Sequence, residues 1–167
     1  QGEGGDNHFR NEFMMALRQL CDENDIMFIM DEVQTGIGIT GKWWAHEHFT
    51  SKPDIISFGK KTQVCGMLVS DRVNEVEDHV FVESSRINST FGGNLTDMVR
   101  FQMILEIIVN ENLLENVNNK GRELKGYLNN LMIDFPAFIT NSRGTGLFAA
   151  FDLPSQKERD NLISKFL

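Results

Sequence analysis

Ile26-Met27-Phe28-Ile29-Met30-Asp31-Glu32-Val33-Gln34-Thr35-Gly36 is the stretch whose reading decides the fold: five apolar residues run into two carboxylates and then into a glycine-rich turn. A continuous apolar run bounded by Asp25 and Asp31 predicts a strand covered on both faces in a mostly parallel sheet. In such sheets ligands bind beyond the carboxyl ends of the strands, which is where Asp31 and Glu32 fall. A second apolar run, Ile55-Ile56-Ser57-Phe58, follows Pro53-Asp54 and ends in Gly59-Lys60. It predicts a second strand delivering a second functional group.

Working outward, residues 2–7 hold three glycines beside an Asp-Asn pair and read as a loop, with Glu3 as a charged side chain among them. Asn11 is placed to cap a helix in which Phe13, Ala16, Leu17, Leu20 and Cys21 recur at helical spacing. The aromatic patch Trp43-Trp44-Ala45-His46-Glu47-His48-Phe49 reads as a short helix. A third strand is predicted over 64–70, a short helix over 72–78, an extended piece at Val80-Phe81-Val82 and a loop over 84–94. Asn94 or Thr96 then caps a helix with Met98, Phe101, Leu105 and Ile108 on one stripe. A further helix spans 113–133 and stops before Pro136. Two strands joined by Arg143-Gly144 follow, and Ser155 starts a last helix. The order is α/β: residues 1–111 form one packing unit and 112–167 begin a second, with no internal repeat.

Composition excludes several classes. The chain has 167 residues, 41% of them hydrophobic and 24% charged, which is a globular balance. A net charge of -8, with only Lys60-Lys61 paired among the cations, argues against binding to nucleic-acid phosphates. Cys21 and Cys65, without a basic-plus-apolar leader, point to free thiols in a reducing, cytoplasmic setting. The opening on Gln1 and the end inside a helical pattern suggest a piece of a longer protein.

Some motifs carry less than they spell. Gly36-Ile37-Gly38-Ile39-Thr40-Gly41 matches a dinucleotide fingerprint, and with Lys42 the start of a P-loop. The P-loop needs Ser or Thr where Trp43 stands, and the fingerprint needs its first glycine tight against the strand end. Asp31-Glu32 also imitates the strand end of a nucleotide-hydrolysing domain, an alternative that stays open. His46 and His48 are two apart, on opposite sides of a helix, which suits packing better than a metal, and no metal site is expected. The combination that survives is Asp31 with Lys60. A strand-end Asp is commonly a cap and a lysine usually a surface charge. As a pair they are what pyridoxal phosphate chemistry requires: an amine to bond the aldehyde and a carboxylate to keep the pyridine nitrogen protonated.

With Phe28-Ile29-Met30-Asp31-Glu32-Val33-Gln34-Thr35-Gly36 and Pro53-Asp54-Ile55-Ile56-Ser57-Phe58-Gly59-Lys60, the chain resembles the class III aminotransferases among the fold-type I pyridoxal phosphate enzymes. The likeness extends over Gln1 to Arg10, Asn88 to Asp97 and Arg143-Gly144-Thr145-Gly146, and is nearest to the family's lysine 6-aminotransferase branch. The 4-aminobutyrate and ornithine branches are the neighbouring alternative. The resemblance implies the end of the family's large cofactor-binding domain followed by the start of its small α+β domain. It implies Lys60 as the cofactor-bonding lysine, with Lys61 the competing choice, Asp31 at the pyridine nitrogen, and Gln34 at the ring oxygen or the substrate. It further implies Ser89 and Thr90 on the cofactor phosphate of the other subunit of a homodimer, and Glu3 as a switch for ω-amino substrates. The implied substrates are L-lysine and 2-oxoglutarate. One departure is that Val64-Cys65 stand where the signature usually has small residues.

Overall fold

The computed structural model describes residues 2, 4–87 and 92–166. Its first helix, α1 (Asn11–Glu23), precedes β1 (Ile29–Asp31). Strands β2 (Ile55–Phe58) and β3 (Gly66–Val69) complete a three-stranded sheet in the order β1-β2-β3. Helices α2 (Leu95–Asn110) and α3 (Leu113–Asp134), the hairpin β4 (Thr140–Thr145) and β5 (Phe148–Asp152), and α4 (Gln156–Phe166) follow. This is the α/β arrangement the periodicity predicts.

The small core is Met14, Cys21 and Phe28, with Leu17, Met30 and Phe49 packed against it. Met14, Leu17 and Cys21 lie at i, i+3 and i+7, so they form one face of α1 laid on β1. Phe13 and Leu20, expected on that face, are half exposed, because the helix turns its Met14 side to the sheet. Asn11 does not cap. It is the first helical residue, and its Oδ1 accepts from Thr50 N (2.9 Å) and Thr50 Oγ1 (3.1 Å), a tertiary bond that outcompetes the local one.

Asp54 anchors the start of the sheet. Its buried carboxylate accepts from Phe28 N at 2.7 Å and from Arg18 Nη1 at 2.7 Å, joining β1, β2 and α1. Arg18 also pairs with Asp22, as does Arg72.

β1 and β2 are parallel, with Met30 beside Ile56 and Asp31 beside Ser57; β2 and β3 are antiparallel. Phe28 and Met30 meet α1, whereas Ile29 alternates to the opposite face of the sheet. The extended piece at Val80-Phe81-Val82 is instead a turn, closed by Val82 N donating to the carbonyl of His79. The helix over 72–78 is a 3₁₀ turn at Asp71–Glu75. Asn94 caps α2, accepting from Thr96 N at 2.9 Å, and Ile108 is the buried member of its stripe.

Arg143-Gly144 are not the hairpin turn either. They pair with Ala150 and Ala149 inside β4, and the chain reverses at Gly146-Leu147. Gly146 has φ +62°, and a Cβ there would lie 2.5 Å from the carbonyl oxygen of Ile39. A Cβ on Gly121 of α3 would lie 2.5 Å from the carbonyl oxygen of Gly146. Helix, hairpin turn and the 36–41 turn therefore meet backbone to backbone.

Gly121→Val, in a full-length protein carrying this chain, is expected to cost about 1–3 kcal/mol by overpacking that meeting point. Gly126→Ala on the same helix faces open space, so it should gain up to about 1 kcal/mol from helix propensity. Urea midpoints of the two variants against wild type check both signs.

Candidate functional site

The alternation of a strand separates the two consecutive carboxylates. Asp31 and Glu32 point to opposite sides, and their surroundings differ accordingly. Glu32 is 1% exposed. It accepts from Ala45 N at 2.6 Å, His46 N at 2.8 Å and Thr35 Oγ1 at 3.3 Å, and His46 Nδ1 lies 3.0 Å from it. Burial opposes its charge, but the side-chain and backbone bonds of His46 and the amide of Ala45 outweigh burial and hold its carboxyl below the usual glutamate range. Those donors start the 3₁₀ turn Ala45–His48, so Glu32 works as a buried cap.

Asp31 is exposed toward a cavity of about 810 Å³. Its Oδ1 accepts from Val33 N at 3.0 Å and from Ser57 Oγ at 3.2 Å. Ser57 is its partner in the parallel register, so a hydroxyl from β2 steadies the acid at the end of β1. Gln34 and Lys60 line the same cavity, with Phe13 and Phe148 among its apolar walls.

Lys60 begins a 3₁₀ turn, Lys60–Thr62, with φ +54°, a conformation non-glycine residues seldom adopt. Two adjacent lysines thereby diverge. Lys60 faces the cavity, and the ammonium of Lys61 donates to the backbone carbonyl of Gln34. Burial, and then the neighbouring Lys60 charge, push the Lys61 ammonium below the usual lysine value. The structure thus brings Asp31, Gln34 and Lys60 together. Glu3, Ser89 and Thr90, singled out from the sequence, lie outside the described residues.

The 36–41 turn offers no phosphate cradle. Gly36 N donates to the Glu32 carbonyl, Ile37 N and Gly38 N to that of Trp43, and Gly41 N to that of Gly38, so these amides are satisfied within the fold. His46 and His48 pack as the spacing suggests: His46 on Glu32, and His48 Nε2 3.1 Å from the buried Thr40 hydroxyl. Burial, then Lys42, lowers the His48 pKa. Among the described residues no group of three His, Cys, Asp or Glu is placed to hold a metal ion, and no helix is long and apolar enough to cross a membrane.

Sequence reasoning missed the second wall of the cavity. Asp6, His8, Thr145 and Phe148 line it, brought there by the hairpin's return to the N-terminal loop. Its one sequence signal is the Arg143-Gly144-Thr145-Gly146 string.

Comparison with known proteins supplies the context. A family model described as aminotransferase class-III matches residues 1–167. The chain is 55% identical over 163 residues to the L-lysine-epsilon aminotransferase of Mycobacterium tuberculosis, a match covering 98% of this chain and 36% of that protein. It is 39% identical over 166 residues to the 4-aminobutyrate aminotransferase of Dictyostelium discoideum, covering 98% and 32% respectively. The solved lysine aminotransferase from M. tuberculosis in the internal aldimine form superposes with a TM-score of 0.94 at 55% identity, over 98% of this chain and 38% of that one. The chain thus spans about a third of these relatives' length.

The Glu32 cap has a pH signature. Its folded value is lowered, so its stabilisation is complete above the ordinary glutamate value near 4.5 and is lost as pH falls through the lower folded value. Glu32→Gln is expected to lose about 1–3 kcal/mol at pH 7 and to show a shallower loss of stability below about pH 4.5. Urea titrations across pH 3–7 on the full-length protein measure both.

Proposed function

This chain belongs to the class III aminotransferases, and on that footing we propose that its parent enzyme moves the ε-amino group of L-lysine to 2-oxoglutarate, giving 2-aminoadipate 6-semialdehyde and glutamate. The observation that carries the reading is the parallel register of β1 and β2, from whose ends Asp31 and Lys60 reach one cavity. The choice of L-lysine rests on the likeness to the lysine-ε enzymes, which exceeds that to the 4-aminobutyrate enzyme.

The cavity's chemistry suits pyridoxal phosphate: an exposed carboxylate steadied by a hydroxyl and an amide, a lysine on the same wall, and apolar ring faces. When bound, that group supplies an electron-poor ring able to delocalise the electron pair left at the substrate carbon on deprotonation. Lys60 would hold it through the side-chain amine and carry a proton at the substrate ε-carbon. Asp31 would face the ring nitrogen as an ionised acid. Gln34, with its backbone held by Lys61, would meet the ring's phenolic oxygen or the substrate. Glu3 would switch between ω-amino and α-carboxylate substrates. Ser89 and Thr90 would bind the phosphate of the partner subunit's cofactor in a homodimer.

In this reading residues 1–111 end the large domain, 112–167 begin the small one, and the enzyme works in the cytoplasm. The present chain alone would be inactive, since it spans 36% of its relative. The nucleotide-hydrolysing alternative is disfavoured by Glu32, whose oxygens are committed to residues 35, 45 and 46.

Two experiments on the full-length protein test the assignment. Borohydride reduction should trap the cofactor on the peptide bearing Lys60, in wild type and Lys61→Ala alike, and trapping should vanish in Lys60→Ala; trapping that survives in Lys60→Ala refutes the role. Asp31→Asn should retain trapping while transamination of lysine falls by about 100-fold or more, and unchanged turnover would refute the part given to Asp31.

A further inference from the structure

Gly2 and residues 6–9 of the N-terminal loop line the cavity, and the hairpin holds that loop at two points. Arg143, in β4, is largely buried, with a side chain 16% exposed. Its Nε donates to the carbonyls of Gly5 (2.8 Å) and Asp6 (3.2 Å), and its Nη2 donates to Gly5 as well. Nη1 donates to the carbonyl of Asn141 at 2.9 Å and pairs with Asp152 Oδ1 at 2.8 Å. Asp152 also accepts from Asn141 Nδ2 at 2.7 Å, so a cross-strand carboxylate orients the guanidinium fork.

Thr145, two residues on and so on the same face of β4, makes the second point. Its Oγ1 lies 3.4 Å from His8 Nδ1, and His8 Nε2 lies 2.8 Å from the buried Asp6 carboxylate. Gly4, Gly5 and Asp6 have φ of +83°, +102° and +50°. A Cβ on Gly5 would sit 2.8 Å from Arg143 Nη2, so that glycine answers both to the turn and to the arginine. A Cβ on Gly2 would sit 2.2 Å from Gln34 Oε1 and 2.9 Å from Phe148 Cζ, so the loop is pressed between Gln34 and the hairpin.

A loop with three successive left-handed residues has many open alternatives, and the fork selects one of them. It also satisfies the Gly5 and Asp6 carbonyls. Resting on the substrate cavity proposed above, we propose that Arg143 is a positioning residue that sets amino-donor selectivity by clamping residues 4–6 against the hairpin, with Thr145 and His8 as the second clamp.

The test uses the full-length enzyme loaded with pyridoxal phosphate. Arg143→Ala should raise KM for lysine by about tenfold or more through misplacement of the wall. It should also narrow the KM gap between lysine and 4-aminobutyrate, and leave kcat within about threefold and borohydride trapping on Lys60 unchanged. Amide exchange of residues 4–8 should quicken. Thr145→Ser should keep wild-type KM and Thr145→Val should not. If Arg143→Ala fails to fold, Gly5→Ala, which keeps the arginine and displaces it, must produce the same KM shift. An unchanged KM in a folded variant, a loss confined to kcat, or unchanged exchange of residues 4–8 overturns the clamp. A wild type that prefers an α-amino donor to lysine defeats the ω-amino reading instead, and the KM comparison made with that donor still decides the clamp.

Discussion

The buried carboxylate of Glu32 is the constraint from which the site follows. An ionised group in a dry position survives only if its oxygens are fully occupied, and here the amides of residues 45 and 46, the imidazole of His46 and the Thr35 hydroxyl occupy them. That requirement folds the aromatic stretch back over the end of β1. It also leaves Asp31, one residue earlier and on the other side, facing the cavity. Glu32 N donates to the Ser57 carbonyl at 2.9 Å, so the same residue ties the strand end to β2.

Parallel pairing then does for Lys60 what burial does for Glu32. Because Asp31 lies beside Ser57, the two strands finish at the same edge, and the left-handed backbone at Lys60 turns one lysine inward while its neighbour locks Gln34 from behind. Three groups separated by up to 29 positions share one wall without any one element carrying all of them. The apparent nucleotide motif between them has a mechanical use: its amides bond within the fold, and its Ile39-Thr40 backbone receives Gly146 at a distance that admits no side chain.

The elements around this frame were legible to different degrees. The strand at 55–58, the end of the apolar run at Ile29–Asp31 and the caps at Asn94 and Ser155 could be read locally, since apolar periodicity and a side-chain oxygen near free amides act over a few residues. Asn11 was misread because a distant residue, Thr50, took its side chain. Val80-Phe81-Val82 has strand-like residues without a strand to pair with among the described residues. Arg143-Gly144 looks like a turn by composition, yet both residues lie inside a strand paired with Ala149-Ala150, and a Cβ on Gly144 would lie 2.6 Å from Ala149 Cβ.

By itself the sequence determined the α/β class, the candidacy of Asp31, Gln34 and Lys60, and the family likeness, because apolar runs, strand ends and residue chemistry are properties of short segments. Only the tertiary structure decided that Glu32 is a cap while Asp31 faces the cavity, that Lys60 rather than Lys61 lines it, and that Arg143 reaches across 138 positions to hold Gly5. Those outcomes depend on which groups are desolvated together and which backbone atoms touch, and neither is known until distant segments have packed.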